Sequence, residues 1–236
     1  MSPHDSCISM GTRKLPTVLA AALLITAGNL WAHESHQAPS GLRWEVWLAA
    51  TYWPAFSDLQ PLAGGSFDSY GFGLGGSAHW PIAETENSEF LLGAELAVLA
   101  HDSDVPTFLE DVVGTDGYLA LSAKWMLGDK RPVSLDAGYA YHLIDISQVD
   151  YDYFNYDSDD IEIWDDGASG PFVGLTWDTW AGKDGKDGGL ALAFKVHFVD
   201  FDTVRDENIN LSPVLGPDAG ALEGPIYLLQ IGYSSR

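Results

Sequence analysis

The chain has 236 residues, with 34 Asp or Glu against 11 Lys or Arg, for a formal net charge of −23. A surface this acidic cannot track phosphates, so nucleic acid is excluded as a partner. Disorder is excluded as well, because 9 Trp, 10 Tyr and 10 Phe are too many aromatics for a disordered acidic chain.

In chain order, Arg13 and Lys14 precede the short apolar run "LPTVLAAALLITAG", and "NLWA-HES" follows it. This is the order of a secretory signal peptide, expected over residues 1–32 with cleavage after Ala32 and with Met10 a candidate initiator. The run is too short for a membrane-spanning helix. A short segment, 33–41, leads into a single domain, 42–236. The only cysteine, Cys7, departs with the leader, so no disulfide frame supports the exported chain.

Alternating apolar and polar residues then predict eight strands, near 42–53, 70–80, 89–101, 117–127, 133–144, 170–180, 189–201 and 225–233. They are longer than usual globular strands and match the roughly 9–11 residues of a tilted bilayer-crossing strand. Long connections follow the first, third, fifth and seventh strands, and short ones ("PIAETENS", "GDKRP", "AGKDGKD") follow the second, fourth and sixth. Short turns on one side and long loops on the other, with an even strand count, are the layout of an outer-membrane barrel.

Parity assigns the faces. In the seventh strand, "LALAFKVHFVDF", Leu190, Leu192, Phe194, Val196 and Phe198 form one row, and Ala191, Ala193, Lys195 and His197 the other. Across all strands the second row collects Gly, Ala and Ser together with charges: Glu45, Glu95, Lys124, Asp136 and Lys195. A narrow lumen needs small side chains and paired ions. The first row carries its aromatics toward strand ends: Trp44, Tyr52, Tyr70, Trp80, Phe90, Trp125, Tyr141, Trp177, Phe198, Tyr227 and Tyr233. Sorted by chain direction they form two belts, where Trp and Tyr sit at lipid–water boundaries. The Leu/Phe row is therefore expected to face lipid and Lys195 the lumen.

With strand number, loop alternation, girdles and a charged lumen in hand, the chain resembles the small eight-stranded outer-membrane barrels of the OmpA transmembrane domain, OmpX and OmpW types. The resemblance spans the whole exported chain and is architectural. "GPIYLLQIGYSSR" resembles the last strand that the barrel-assembly machinery reads, although Ser234, Ser235 and Arg236 follow Tyr233 where that family ends on an aromatic residue. The resemblance implies an all-β, antiparallel, up-and-down transmembrane barrel in the outer membrane, with outer-membrane lipid and lipopolysaccharide as its surroundings. It does not imply an activity.

Three features carry candidate chemistry. Glu95, Lys124 and Asp136 occupy successive strands at similar heights, which predicts a Glu–Lys–Asp cluster, with Glu45 and Lys195 on the same face. His101, His142 and His197 lie near the outer strand ends with inward parity, near Asp102, Asp145 and Asp200, and are rim candidates for a transition metal, although no HxxxH or HExxH spacing links them. The connection "DISQVDYDYFNYDSDDIEIWDD" holds nine acids and no base. Asp157, Asp159, Asp160, Asp165 and Asp166 are its candidate ligands for Ca²⁺ or Mg²⁺, without an EF-hand register. No resident cofactor is otherwise expected. Ser147 lies five residues beyond His142, already in the loop, and the sequence has neither a GxSxG elbow nor the His–Ser pair of the outer-membrane lipid A deacylases, so catalysis by a lipid-modifying enzyme is the minor alternative.

The expectation is thus a non-catalytic outer-membrane surface or structural protein with acidic extracellular loops. The alternatives are a narrow pore and a soluble, lipocalin-like barrel holding an apolar ligand. N-terminal sequencing of the exported protein checks the leader: the first residue should be His33, and an intact Met1 or Met10 terminus would overturn the cleavage.

Overall fold

The structure is a computed structural model that describes residues 41–59, 65–103, 111–128, 132–149, 161–178, 188–204, 215 and 219–235. The expected leader, most of the segment 33–41, and Asp157, Asp159 and Asp160 lie outside the described residues. Eight antiparallel strands close into a barrel in chain order: β1 (Arg43–Tyr52), β2 (Phe67–Thr85), β3 (Ser88–Ser103), β4 (Asp111–Leu127), β5 (Val133–Val149), β6 (Ile161–Asp178), β7 (Gly188–Val204) and β8 (Gly220–Ser235). One helical turn, α1 (Pro54–Ser57), follows β1. Among the described residues no helix is long and apolar enough to cross a membrane.

Every expected strand is present with its expected parity. Trp47, Ala49 and Thr51 are buried on β1 while Leu48, Ala50 and Tyr52 are exposed, and Ala191, Ala193, Lys195 and His197 are buried on β7 while Phe194 and Phe198 are exposed. Closure rests on β1 pairing with both β2 and β8, so Trp47 stands opposite Gly75 on one side and Gly232 on the other. The two glycines make space for the indole: a Cβ on either would press into Trp47.

The strands run further than the sequence pattern indicates. β5 continues to Val149 and β6 begins at Ile161, so much of the expected loop 145–169 is strand, and Asp165 pairs with Asp145. The reason is a second apolar layer in the outer end of the barrel. Ile144, Ile146, Ile163, Trp164, Val199, Phe201 and Leu222 are each no more than 5% exposed and belong to one hydrophobic cluster. Intervening acids such as Asp145 and Asp200 face outward and hide the alternation from a reading by composition.

β1 is the shortest strand, and the chain then turns into the mouth of the barrel. Trp53, expected as the last residue of the first strand, instead donates its N–H to the Ser69 carbonyl at 2.7 Å and buries its ring completely. Pro54 opens the single turn of α1, where a missing N–H costs nothing. That turn drives Phe56 beneath Phe67 and His101, at ring separations of 5.2 and 5.0 Å.

The β6–β7 ladder is short, running only from Phe172–His197 to Asp178–Ala191. It stops at Pro171, which has no N–H to donate. Above it an Asp166 carboxylate oxygen accepts the Asp202 N–H at 3.0 Å.

Phe56→Ala should cost about 3–5 kcal/mol through the cavity it leaves under the outer mouth. Urea unfolding from detergent micelles measures it, and an unchanged midpoint would mean that α1 does not seal the barrel.

Candidate functional site

Among the described residues, the lumen gathers charge away from solvent. Its polar residues stack in layers from the short-turn end upward. In the first, Arg43 reaches Glu89 at 3.4 Å and Ser234 donates to Asp178 at 2.9 Å. In the second, Lys124 pairs with Glu45 at 2.5 Å and with Asp136 at 3.6 Å, while Thr176 donates to Asp136 at 2.7 Å. His79 and Ser122 share a hydrogen bond of 2.7 Å at this level.

The third layer corrects the expected cluster. Glu95 does not join Lys124 and Asp136. It takes the Lys195 ammonium as its salt-bridge partner and the Tyr118 hydroxyl as a donor at 2.6 Å. Lys124 instead pairs with Glu45, which reaches it across the barrel from β1. Two cations thus serve three carboxylates, and hydroxyls serve the remaining oxygens. A buried ion pair is tolerable only with such added hydrogen bonds.

The fourth layer holds two of the three rim histidines. His142 Nδ1 donates to Asp116 at 2.8 Å, and His142 Nε2 and His197 Nδ1 share a hydrogen bond at 3.1 Å. Phe172 stacks on His197 at 4.7 Å and 13°. The third, His101, lies apart: it bonds the Thr51 hydroxyl at 3.3 Å and packs against Trp53 and Phe56. The expected three-histidine rim therefore does not assemble, because His101 is drawn under α1. Among the described residues no group of three or more His, Cys, Asp or Glu could hold a metal ion.

Asp116 was missed because the fourth strand was expected to begin at residue 117. One more step of inward parity from Tyr118 reaches it. Asp102 and Asp200, the acids adjacent in sequence to the histidines, face outward and are exposed. Asp165 and Asp166, expected as loop ligands, belong to β6. Both Asp166 oxygens are already used, one by the Gly167 N–H at 2.7 Å and one by the Asp202 N–H. Asp166 thus pins backbone through both of its oxygens.

Hydroxyl–imidazole pairs do occur, Ser122–His79 and Thr51–His101. Each of these four residues is no more than 6% exposed, so no substrate reaches them as they stand. Ser147 turns to Asp145 and leaves His142 alone. The apolar cluster above and the ion pairs below occupy most of the described lumen, leaving a gap of about 10 Å³ lined by Glu45, Trp47, Thr176 and Gln230. Its polar groups are engaged chiefly with one another.

No protein-family model matches the chain, and no curated protein matches it. Solved structures of similar fold include Neisserial surface protein A, at 12% identity over 84% of this chain and 99% of that one, with a TM-score of 0.43. The outer membrane protein OprG of Pseudomonas aeruginosa is similar at 14% identity over 85% and 97%, with a TM-score of 0.44. The outer membrane protease OmpT of Escherichia coli is similar at 10% identity over 86% and 99%, with a TM-score of 0.43. At these identities the likeness concerns architecture alone.

Lys195→Met strands Glu95 in the lumen and should destabilise the barrel by about 3–5 kcal/mol, with Lys195→Met/Glu95→Gln recovering most of it. Denaturant unfolding of both variants in one detergent checks this. Equal losses in the single and double variants would mean that the pair does not carry the effect.

Proposed function

We propose that this chain is an integral outer-membrane β-barrel, a non-catalytic surface protein whose lumen does not conduct. The observation that carries the reading is the inversion of its two faces. The outside of the barrel carries a continuous apolar surface, including Leu74 (41% exposed), Leu121 (73%) and Leu229 (60%), while Lys195, Glu95 and Asp136 lie within. In a soluble barrel that exposed surface would far exceed the few hundred Å² of apolar patch that water tolerates.

The aromatics bracket this surface. On the short-turn side Trp44 packs on Tyr233 at 5.6 Å, and on the long-loop side Tyr52 packs on Tyr70 at 4.9 Å. Trp44 and Tyr52 are eight residues apart on β1, about 26 Å of strand and about 20 Å of membrane height at the usual tilt. That approaches the roughly 25 Å apolar band of outer-membrane barrels.

Charge supports the orientation. By sequence, Arg43, Lys130, Arg131, Lys183, Lys186 and Arg236 fall at the short-turn end, whereas Arg205 is the one base between strands at the long-loop end. The projecting outer end is therefore strongly negative and would repel anionic lipopolysaccharide phosphates. Ca²⁺ or Mg²⁺ shared between the two relieves that repulsion, and carboxylates are suitable hard ligands for both ions. The filled lumen speaks against both a pore and a lipocalin-like ligand cavity.

Membrane fractionation with a heat-modifiability gel tests the reading. The protein should require detergent and should migrate differently before and after boiling, and a chain soluble without detergent would overturn it. Phe194→Arg, between Leu175 and Leu229 on the apolar face, should weaken insertion by about 2–4 kcal/mol. Unimpaired insertion of that variant would put Phe194 outside the lipid.

A further inference from the structure

Two donors in the lower lumen have no hydrogen-bond partner among the described residues: the indole Nε1–H of Trp47 and the amide Nε2–H of Gln230. Trp47 is only 6% exposed and Gln230 3%, so neither donor is left to bulk solvent. A buried donor without an acceptor carries the full desolvation penalty of its group. The two residues lie close together where β1 meets β8, with Trp47 opposite Gly232 and Ala49 opposite Gln230. Both line the same gap, together with Glu45, Thr176, Ala191 and Ala193. Space remains there because the inner row carries only methyl groups on β7 and a bare Gly232 on β8, against which Trp47 is seated.

We propose that this gap is a binding site for a single water molecule, entered from the short-turn end. Its volume of about 10 Å³ is close to the roughly 10–15 Å³ that one water requires, and its polar lining offers the two to four partners such a water takes. The water oxygen accepts from Trp47 and Gln230. Its own hydrogens go to the Glu45 carboxylate and to the Thr176 hydroxyl oxygen, whose hydrogen is already given to Asp136. An anion would be repelled by Glu45, and a cation would face two N–H donors. A neutral molecule that both donates and accepts satisfies all four groups.

Access is one-sided. The Glu45 side chain is 18% exposed, and Ala191 and Ala193, near the start of β7, each keep 8%. Ala97, Ala140, Phe172 and His197, on the same inner face, keep 1% or less. The water therefore occupies the blind end of a notch, and the Lys124–Glu45 pair shares that notch with solvent. The site depends on the closed barrel alone and not on the membrane reading.

A crystal structure of the intact protein in detergent, at a resolution that shows ordered water, is the first test. Density within hydrogen-bond distance of Trp47 Nε1, Gln230 Nε2 and a Glu45 oxygen is expected. An empty gap, or a Gln230 amide turned to bond Glu45 directly, overturns the site. Ala193→Val gives a second readout, because the added methyl groups expel the water and abandon both donors. Urea unfolding in the same detergent should show its folding equilibrium constant lowered about tenfold. In a Gln230→Met background, with one donor already gone, the same substitution should cost several-fold less. Equal losses in the two backgrounds would mean steric strain, and a stabilised Ala193→Val would mean a dry gap; either overturns the hydrated site.

Discussion

Closure of β1 onto β8 is the constraint from which the rest of this structure follows. An open sheet edge in hydrocarbon would leave a row of backbone N–H and C=O groups without partners, each at a cost of several kcal/mol. Eight strands abolish the edge but enclose a lumen only wide enough for side chains. Every inward residue must then either be small or fit against a small neighbour. Trp47 set between Gly75 and Gly232 is the clearest case. Since the same closure sends alternate residues outward, the large apolar side chains that a soluble protein would bury end on the outside.

The narrow lumen is divided by polarity along its length. Near the short-turn end, Lys124 and Lys195 are surrounded by Glu45, Asp136 and Glu95, with Tyr118 and Thr176 completing the hydrogen bonding. Toward the other end the filling becomes apolar, and α1 folds in to complete it. The histidines His101, His142 and His197 sit at the boundary. His142 and His197 join the polar side through Asp116, and His101 joins the apolar side through Trp53 and Phe56. Removing a charge affects the lower half through an abandoned counter-ion, whereas removing a ring affects the upper half through a cavity. The two halves thus fail by different physics.

The long-loop end of the barrel is built differently. There the sheet becomes irregular, with the β6–β7 ladder ending at Pro171 and a register shift in β7–β8 between Asp200 and Thr203. Carboxylates stand in for missing ladder partners: Asp166 accepts from Asp202, and Asp200 accepts from the Gly224 N–H at 3.1 Å. Substitutions of this kind need water nearby to solvate the second face of a charged group. Among the described residues they occur here toward the long-loop end.

The sequence by itself determined the number of strands, their order, which face of each looks inward, and the position of the short turns. All of these depend on period-two alternation and on turn composition, which are local and are written along the chain. It also placed Glu45, Glu95, Lys124, Asp136 and Lys195 together on the inner face. What only the tertiary structure decided was who meets whom across the lumen. Parity gives a direction, but the partner of Lys124 depends on the stagger of the closed sheet, and that stagger brings Glu45 from β1 to Lys124 and Lys195 from β7 to Glu95. The same holds for Asp116 beside His142, and for His101 drawn away beneath Phe56 by a turn that no periodicity announces. Acidic residues concealed the outer strand ends for a related reason: Asp145 and Asp165 look like loop to a reading of composition, while the Ile144 and Ile146 that bury beside Asp145 are recognisable as core only once the barrel exists to receive them.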